Sequence, residues 1–255
     1  KRSEDATIMG LGAMYKLNDN VRLIAGVHQG YQPPGAGSKA KAEASVNFEI
    51  GARAMIDNAM FEIIAFISDY DNIVGTVTTS TGGTTSIGDQ YDGGALKVQG
   101  LEISSASSIT TANGLEIPMS FQYTLTSKAD FESSFKSGFD GWGTSVIKGD
   151  RLPYMPKNQM RASVGVIGES MSANVSASYA SEVRALAGQG GIPDNQLIDA
   201  RWILDAVANY KVSETVSVYV KIDNLLDEVY VAARRPAGLR PGMDRLVSVG
   251  VNIQL

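Results

Sequence analysis

Leu246-Val247-Ser248-Val249-Gly250-Val251-Asn252-Ile253-Gln254-Leu255 alternates without a slip. Val247, Val249, Val251, Ile253 and Leu255 take one face of an extended chain, and Ser248, Gly250, Asn252 and Gln254 take the other with Leu246. Successive side chains of a strand point to opposite faces, so this stretch is a strand with one apolar and one polar side. The same period runs upstream. Val216, Val218, Val220 and Ile222 alternate with Ser217, Tyr219, Lys221 and Asp223. Ala173, Val175, Ala177 and Tyr179 alternate with Asn174, Ser176, Ser178 and Ala180. Met119, Phe121, Tyr123 and Leu125 alternate with Ser120, Gln122, Thr124 and Thr126. Helical spacing is scarce. Its best candidate, Ala180 to Leu186, is short and runs into Gly188-Gln189-Gly190-Gly191.

Extended along the chain, the pattern predicts about eleven strands. They lie near 6–17, 21–29, 43–56, 59–68, 97–110, 116–126, 159–168, 171–180, 201–212, 215–223 and 245–255. Five connections are tight: Asn18-Asp19-Asn20, Asp57-Asn58, Ala112-Asn113-Gly114, Glu169-Ser170 and Ser213-Glu214. Their Asn, Asp and Gly supply hairpin-turn chemistry. The other five, about 29–42, 69–96, 127–158, 181–200 and 224–244, are long and hold most of the Pro, Gly and charge. Short and long alternate strictly.

Antiparallel neighbours place successive connections at opposite ends of a sheet, so all the tight turns share one end and all the long loops the other. A soluble sandwich has no reason to sort its loops this way. Outer-membrane barrels do, with short periplasmic turns, long external loops and tilted strands of ~10 residues. The expected fold is therefore all-β, an antiparallel transmembrane β-barrel with its long loops outside and its C-terminus periplasmic. Eleven is odd, whereas bacterial single-chain barrels close with an even number. Partner strands are thus expected upstream, and the charged start Lys1-Arg2-Ser3-Glu4-Asp5 has no apolar region behind it to make a signal peptide.

Composition narrows the function classes. The chain has 255 residues, 22 Lys and Arg against 27 Asp and Glu, and a net charge of −5. No basic excess exists for nucleic acid. Cys is absent, which removes disulfides, thiolate metal sites and a Cys nucleophile. No apolar run approaches the ~18 residues of a membrane helix, which leaves barrel strands untouched. His28, the one histidine, lacks a carboxylate cluster and is expected to pack beneath a loop. Asp69, Asp71, Asp89 and Asp92 match neither a calcium loop nor a glycosidase pair and read as solvated loop charge. Gly10-Leu11-Gly12 has Tyr15 where a dinucleotide fingerprint needs its third Gly, and Asn174-Val175-Ser176 lies inside a strand. No nucleophile–base or metal-ligand constellation stands out, so no catalytic residue, resident metal or cofactor is expected.

Six segments, in order, resemble TonB-dependent outer-membrane receptors, the ferric-citrate and siderophore type in particular. They are Gly26-Val27-His28-Gln29-Gly30-Tyr31-Gln32-Pro33-Pro34, Glu43 to Arg53, Phe66 to Val74, Val98-Gln99-Gly100-Leu101-Glu102, Asp223 to Tyr230, and Arg235 to Arg245. Leu255 stands where the family commonly ends in an aromatic, and Asp244 replaces the usual Pro before Arg245. The resemblance implies a 22-stranded barrel filled by a plug, of which residues 1–255 supply strands 12 to 22, the C-terminal half. Nothing in the chain matches the plug or the segment that contacts TonB. The implied activity is capture of a ferric chelate outside a Gram-negative cell and TonB-driven uptake. The implied partners are the lipid bilayer, lipopolysaccharide, TonB and the chelate, the last as cargo. An outer-membrane porin-like channel and a soluble extracellular β-sandwich binding module are the alternatives.

Arg234, Arg235, Arg240 and Arg245 cluster within a dozen residues at the external end of the last hairpin. Guanidinium groups pair with carboxylates in bidentate fashion, so Arg234, Arg235 and Arg240, with Tyr31, are the candidate contacts to an anionic chelate. The alternative role is to anchor the loop to neighbouring acids or to lipopolysaccharide phosphates. Tyr31, Tyr70, Tyr91, Tyr154 and Trp142 fall at or near external strand ends, as girdle aromatics, loop packing or a ligand platform.

Overall fold

The computed structural model describes residues 6–77, 86–137, 141–235 and 238–254. Its backbone is one antiparallel sheet of eleven long strands in simple sequence order. These are β1 (Gly10–Lys16), β2 (Val21–Gln32), β3 (Glu43–Ile56), β4 (Ala59–Asn72), β5 (Leu96–Thr110) and β6 (Glu116–Phe131). They continue as β7 (Asn158–Ile167), β8 (Met171–Ala180), β9 (Arg201–Lys211), β10 (Val216–Asp223) and β11 (Leu246–Ile253). Each pairs with its neighbours in sequence, and among the described residues β1 and β11 do not pair with each other. The sheet is thus an open segment of a barrel wall.

All eleven predicted strands are present, with shifted ends. β2, β4 and β6 run three to five residues further into the long-loop end than alternation indicates. The reason is that the alternation marks the apolar outer face, whereas backbone pairing continues beyond it. Asp69 still faces Lys97 across β4 and β5, for example, but as an ion pair of 3.0 Å rather than an apolar pair. The segment 180–186 is not a helix, and no helix occurs among the described residues. Val183–Arg184 pairs with Leu197–Ile198 instead, because Val183, Ala185 and Ile198 bury together.

The register carries one face across the whole sheet. Leu23, Ala52, Ile63, Ile103 and Tyr123 sit in line from β2 to β6. Val164, Val175, Ala206, Ile222 and Val247 continue it from β7 to β11. Large apolar side chains on this face are exposed: Ile50 is 66% and Val249 72% exposed. The opposite, inner face carries Arg22, His28, Asn47, Glu49, Arg53, Glu62, Glu102, Gln122, Arg161, Asp205 and Lys221. An apolar outside and a polar inside is the division that a membrane barrel requires. On the outer face Tyr15 and Tyr210 mark the tight-turn end, and Tyr31, Tyr123, Tyr179 and Trp202 the long-loop end. Val249 and Asn252 fall on opposite faces as the alternation predicts, while Leu255 lies outside the described residues.

Candidate functional site

The long loops are built, not slack. Four short ribbons rise from the wall: Val74–Thr76 with Gln90–Asp92, Phe135–Lys136 with Ser145–Val146, Val183–Arg184 with Leu197–Ile198, and Val231–Ala233 with Arg240–Pro241. A chain of backbone bonds ties neighbouring ribbons together. Leu152 N donates to Ala129 O (2.7 Å), Arg151 N to Gly188 O (2.9 Å) and Tyr154 N to Arg184 O (3.0 Å). Under them lies a true hydrophobic core of Ile73, Leu96, Phe131, Trp142 and Val146. Phe131, Phe135 and Trp142 pack edge to face with centroids 5.6–5.9 Å apart. Gly93 is required here, because a Cβ would enter the ring of Trp142. Trp142 and Tyr70 are therefore loop-packing residues rather than girdle aromatics.

Polar side chains finish the same loops. Buried Asn72 donates to Asp92 Oδ1 (3.2 Å) and its Oδ1 accepts from Gly94 N (3.0 Å). Asp92 also accepts from Lys41 N (2.7 Å), and Asp89 from Ser86 N (2.6 Å). Asp69, Asp89 and Asp92 thus hold loop geometry, where composition suggested free solvation. His28 sits exposed on the inner face beside Asn47 and is not packed beneath a loop. Among the described residues no group of three or more His, Asp or Glu is arranged to hold a metal.

In the last loop, Asn224 is the pin. It is 2% exposed, takes a left-handed φ of 52°, and its amide nitrogen donates to Glu228 O and Met243 O, both at 2.9 Å. Its Oδ1 accepts from Glu228 N, and its own N donates to Asp205 Oδ1. Asp227 then accepts from Arg245 N (3.0 Å) and faces its guanidinium at 3.5 Å. These are the Asn, Asp and Arg of the family-like segments, used as a latch across the loop base.

The arginines separate by role. Arg234 Nε donates to Leu197 O at 2.6 Å, while the backbone N–H groups of Arg234 and Arg235 donate to Tyr154 Oη. Arg245 belongs to the Asp227 latch. Among the described residues, exposed Arg240 bonds within its own loop, to Arg235 O (3.2 Å). Tyr31 shares the face of Leu23, Ala25 and Val27, pointing outward rather than toward the arginines. Sequence reading missed two further arginines. Arg161 and Arg201 line an inner-wall cleft of about 350 Å³ with Gln122, Thr124, Gln159 and Ser178. Arg201 also stacks on Tyr230 of the last loop, 5.3 Å from the ring centroid. The signal was present, since both occupy the polar phase of their strands beside Met160 and Trp202.

Residues 1–225 match the model of the TonB dependent receptor-like β-barrel family. The chain belongs to that family. Among curated proteins, this TonB-dependent receptor barrel is 27% identical over 242 residues to the pesticin receptor of Yersinia pestis, covering 90% of the chain and 32% of that protein. The Yersinia enterocolitica pesticin receptor is 26% identical over the same length. Among solved structures, the siderophore receptor PiuA of Acinetobacter baumannii superposes with a TM-score of 0.70 at 18% identity, covering 96% of this chain and 35% of that one. The ferric enterobactin receptor of Pseudomonas aeruginosa gives 0.66 at 18%, covering 96% and 40%. The chain therefore spans about a third of its curated relatives' length, and the fold is shared with siderophore receptors.

Proposed function

We propose that this barrel segment is the C-terminal half of the wall of an outer-membrane receptor that captures and takes up a ferric chelate, a siderophore or ferric citrate. In this reading residues 1–255 supply strands 12 to 22, the tight turns face the periplasm and the long loops face outward. A plug and a TonB contact would act through parts of the protein beyond this chain, and lipid and lipopolysaccharide would surround the outer face. The names of the relatives support iron-chelate uptake as the class. No bond chemistry, resident metal or cofactor is needed, the ferric chelate being cargo. The observation that carries the ligand's charge is the vertical arrangement of guanidinium groups. Arg161 and Arg201 line the inner wall, and Arg201 reaches through Tyr230 the last loop, which carries exposed Arg240. The cleft lining carries the guanidinium groups of Arg161 and Arg201 and no carboxylate, and such a pair attracts a polyanion and pairs with its oxygens. Arg234 contributes by anchoring, and Tyr31 contributes at the lipid headgroup level.

Titration of the intact receptor with ferric citrate and with ferric siderophores tests this. Replacing Arg161, Arg201 and Arg240 with Gln is expected to raise the dissociation constant at least about tenfold, or ~1.4 kcal/mol, with weaker binding at high salt. Unchanged affinity in a correctly inserted variant would remove the anionic-chelate assignment.

A further inference from the structure

Arg201 opens β9 at the long-loop end of the inner wall, and nothing polar meets it there. Its partner across the ladder is Ala180, which offers no side-chain acceptor. The residue is half-buried, yet among the described residues its guanidinium has no hydrogen bond and no ion pair. What holds it is the ring of Tyr230, with the guanidinium carbon 5.3 Å from the ring centroid. An aromatic face attracts a cation through its quadrupole. It takes up the flat side of the guanidinium and leaves the N–H donors, which lie in the plane of the group, unused. Arg201 therefore enters the cleft fixed by its face and open at its edge.

Tyr230 is itself built into place. Gly242 N donates to Tyr230 O at 2.8 Å, and a Cβ on Gly242 would enter the Tyr230 ring. Gly242 is not among the glycines with positive φ, so this position needs the missing side chain rather than a special backbone conformation. The pair is closed from both sides. Beyond it, the Asn224 amide nitrogen donates to Glu228 O and Met243 O; within it, Val231 stands opposite Pro241. The latch at the loop base thus sets Gly242 against one side of the ring while the ring meets Arg201. Tyr230 does not line the cleft, so the last loop reaches the cleft without entering it.

We infer that Tyr230, backed by Gly242, is a positioning residue: it holds the Arg201 guanidinium with its N–H edge presented to an oxygen of the incoming chelate. The inference rests on the uptake reading and deepens it. Without the ring, a long side chain must be ordered at the moment of binding, and that ordering costs affinity.

The intact receptor in detergent is titrated with ferric citrate and with ferric enterobactin, at low and at high salt. For whichever chelate binds the wild type, Tyr230→Leu should raise the dissociation constant about three- to tenfold, or ~0.6–1.4 kcal/mol, and flatten its salt dependence. Tyr230→Phe keeps the ring and should keep both. On an Arg201→Gln background Tyr230→Leu should cost nothing further, because the group it positions is gone. If Tyr230→Leu does not insert, Gly242→Ala, which pushes the ring from its seat, is read in the same cycle. Wild-type affinity in Tyr230→Leu, an equal loss in Tyr230→Phe, or an undiminished loss on the Arg201→Gln background would each overturn the inference. Binding of neither chelate by the wild type removes the uptake reading and this inference with it, whereas binding that ignores Tyr230 removes this inference alone.

Discussion

The wall and the loops invert each other's burial. In the wall, large apolar side chains are bare: Ile50, Val249, Val251 and Ile253 are all 59–72% exposed. In the loop layer, Ala129 and Phe131 at the upper end of β6 are fully buried, and Val146 and Ile198 in the loops are 1% exposed. A water-soluble domain does the opposite, with its core in the sheet and polar residues in the loops. The wall's apolar face is finished by hydrocarbon, so its hydrophobic gain comes from lipid and needs no partner in the chain. The loops stand above the bilayer and must build their own core. One polypeptide thus meets two solvents, and the boundary falls where Ile67 gives way to Asp69 on β4.

The sharpest way to break this contrast is to hollow the loop core. Phe131→Ala should cost ~3–5 kcal/mol, as expected for a fully buried aromatic. The loss should appear as protease sensitivity between 127 and 158 in an otherwise inserted barrel. A wall that fails to insert instead would show that loops and wall form one cooperative unit. Next in size, Val249→Arg should cost ~2–4 kcal/mol near mid-bilayer and Asn252→Arg much less. Folding of the intact receptor into liposomes measures both, and equal costs would sink the assignment of faces.

The smallest effect lies on the loop surface. Lys128, hydrogen-bonded to Glu132 at 2.5 Å, holds that carboxyl below its ordinary value of 4.5, burial opposes, and Lys148 assists. A lowered folded-state value means stability present above about pH 4.5 and lost as pH falls further. Because the pair is largely solvated, the loss should be only a few tenths of a kcal/mol. Comparing acid-induced loop proteolysis of the wild type with Glu132→Gln would detect it, and a large difference would mean that the loop layer is drier than its exposure indicates.

Much of the wall was legible because lipid makes the alternation one-sided and Asn, Asp and Gly make the turns local. Val216 to Ile222 and Val247 to Ile253 read correctly residue by residue. The strand extensions past Gln29, Ser68 and Thr126 did not, since nothing apolar marks a ladder once it leaves hydrocarbon. Asp92 read as solvated charge because the groups it accepts from, Lys41 N and Asn72, are 51 and 20 residues away. Arg234 read as a ligand contact because its carbonyl partner, Leu197, is 37 residues away.

By itself the sequence determined the strand number, the two faces and the sorting of short and long connections. All of these follow from a period of two and turn chemistry, which act between residues close in the chain. Only the tertiary structure decided that the loops share a core around Phe131 and Trp142, that Asn224 latches the last loop, and that Arg161 and Arg201 meet on the inner face. Those contacts depend on register between distant strands. A single residue's slip would send either arginine to the outer side of the wall.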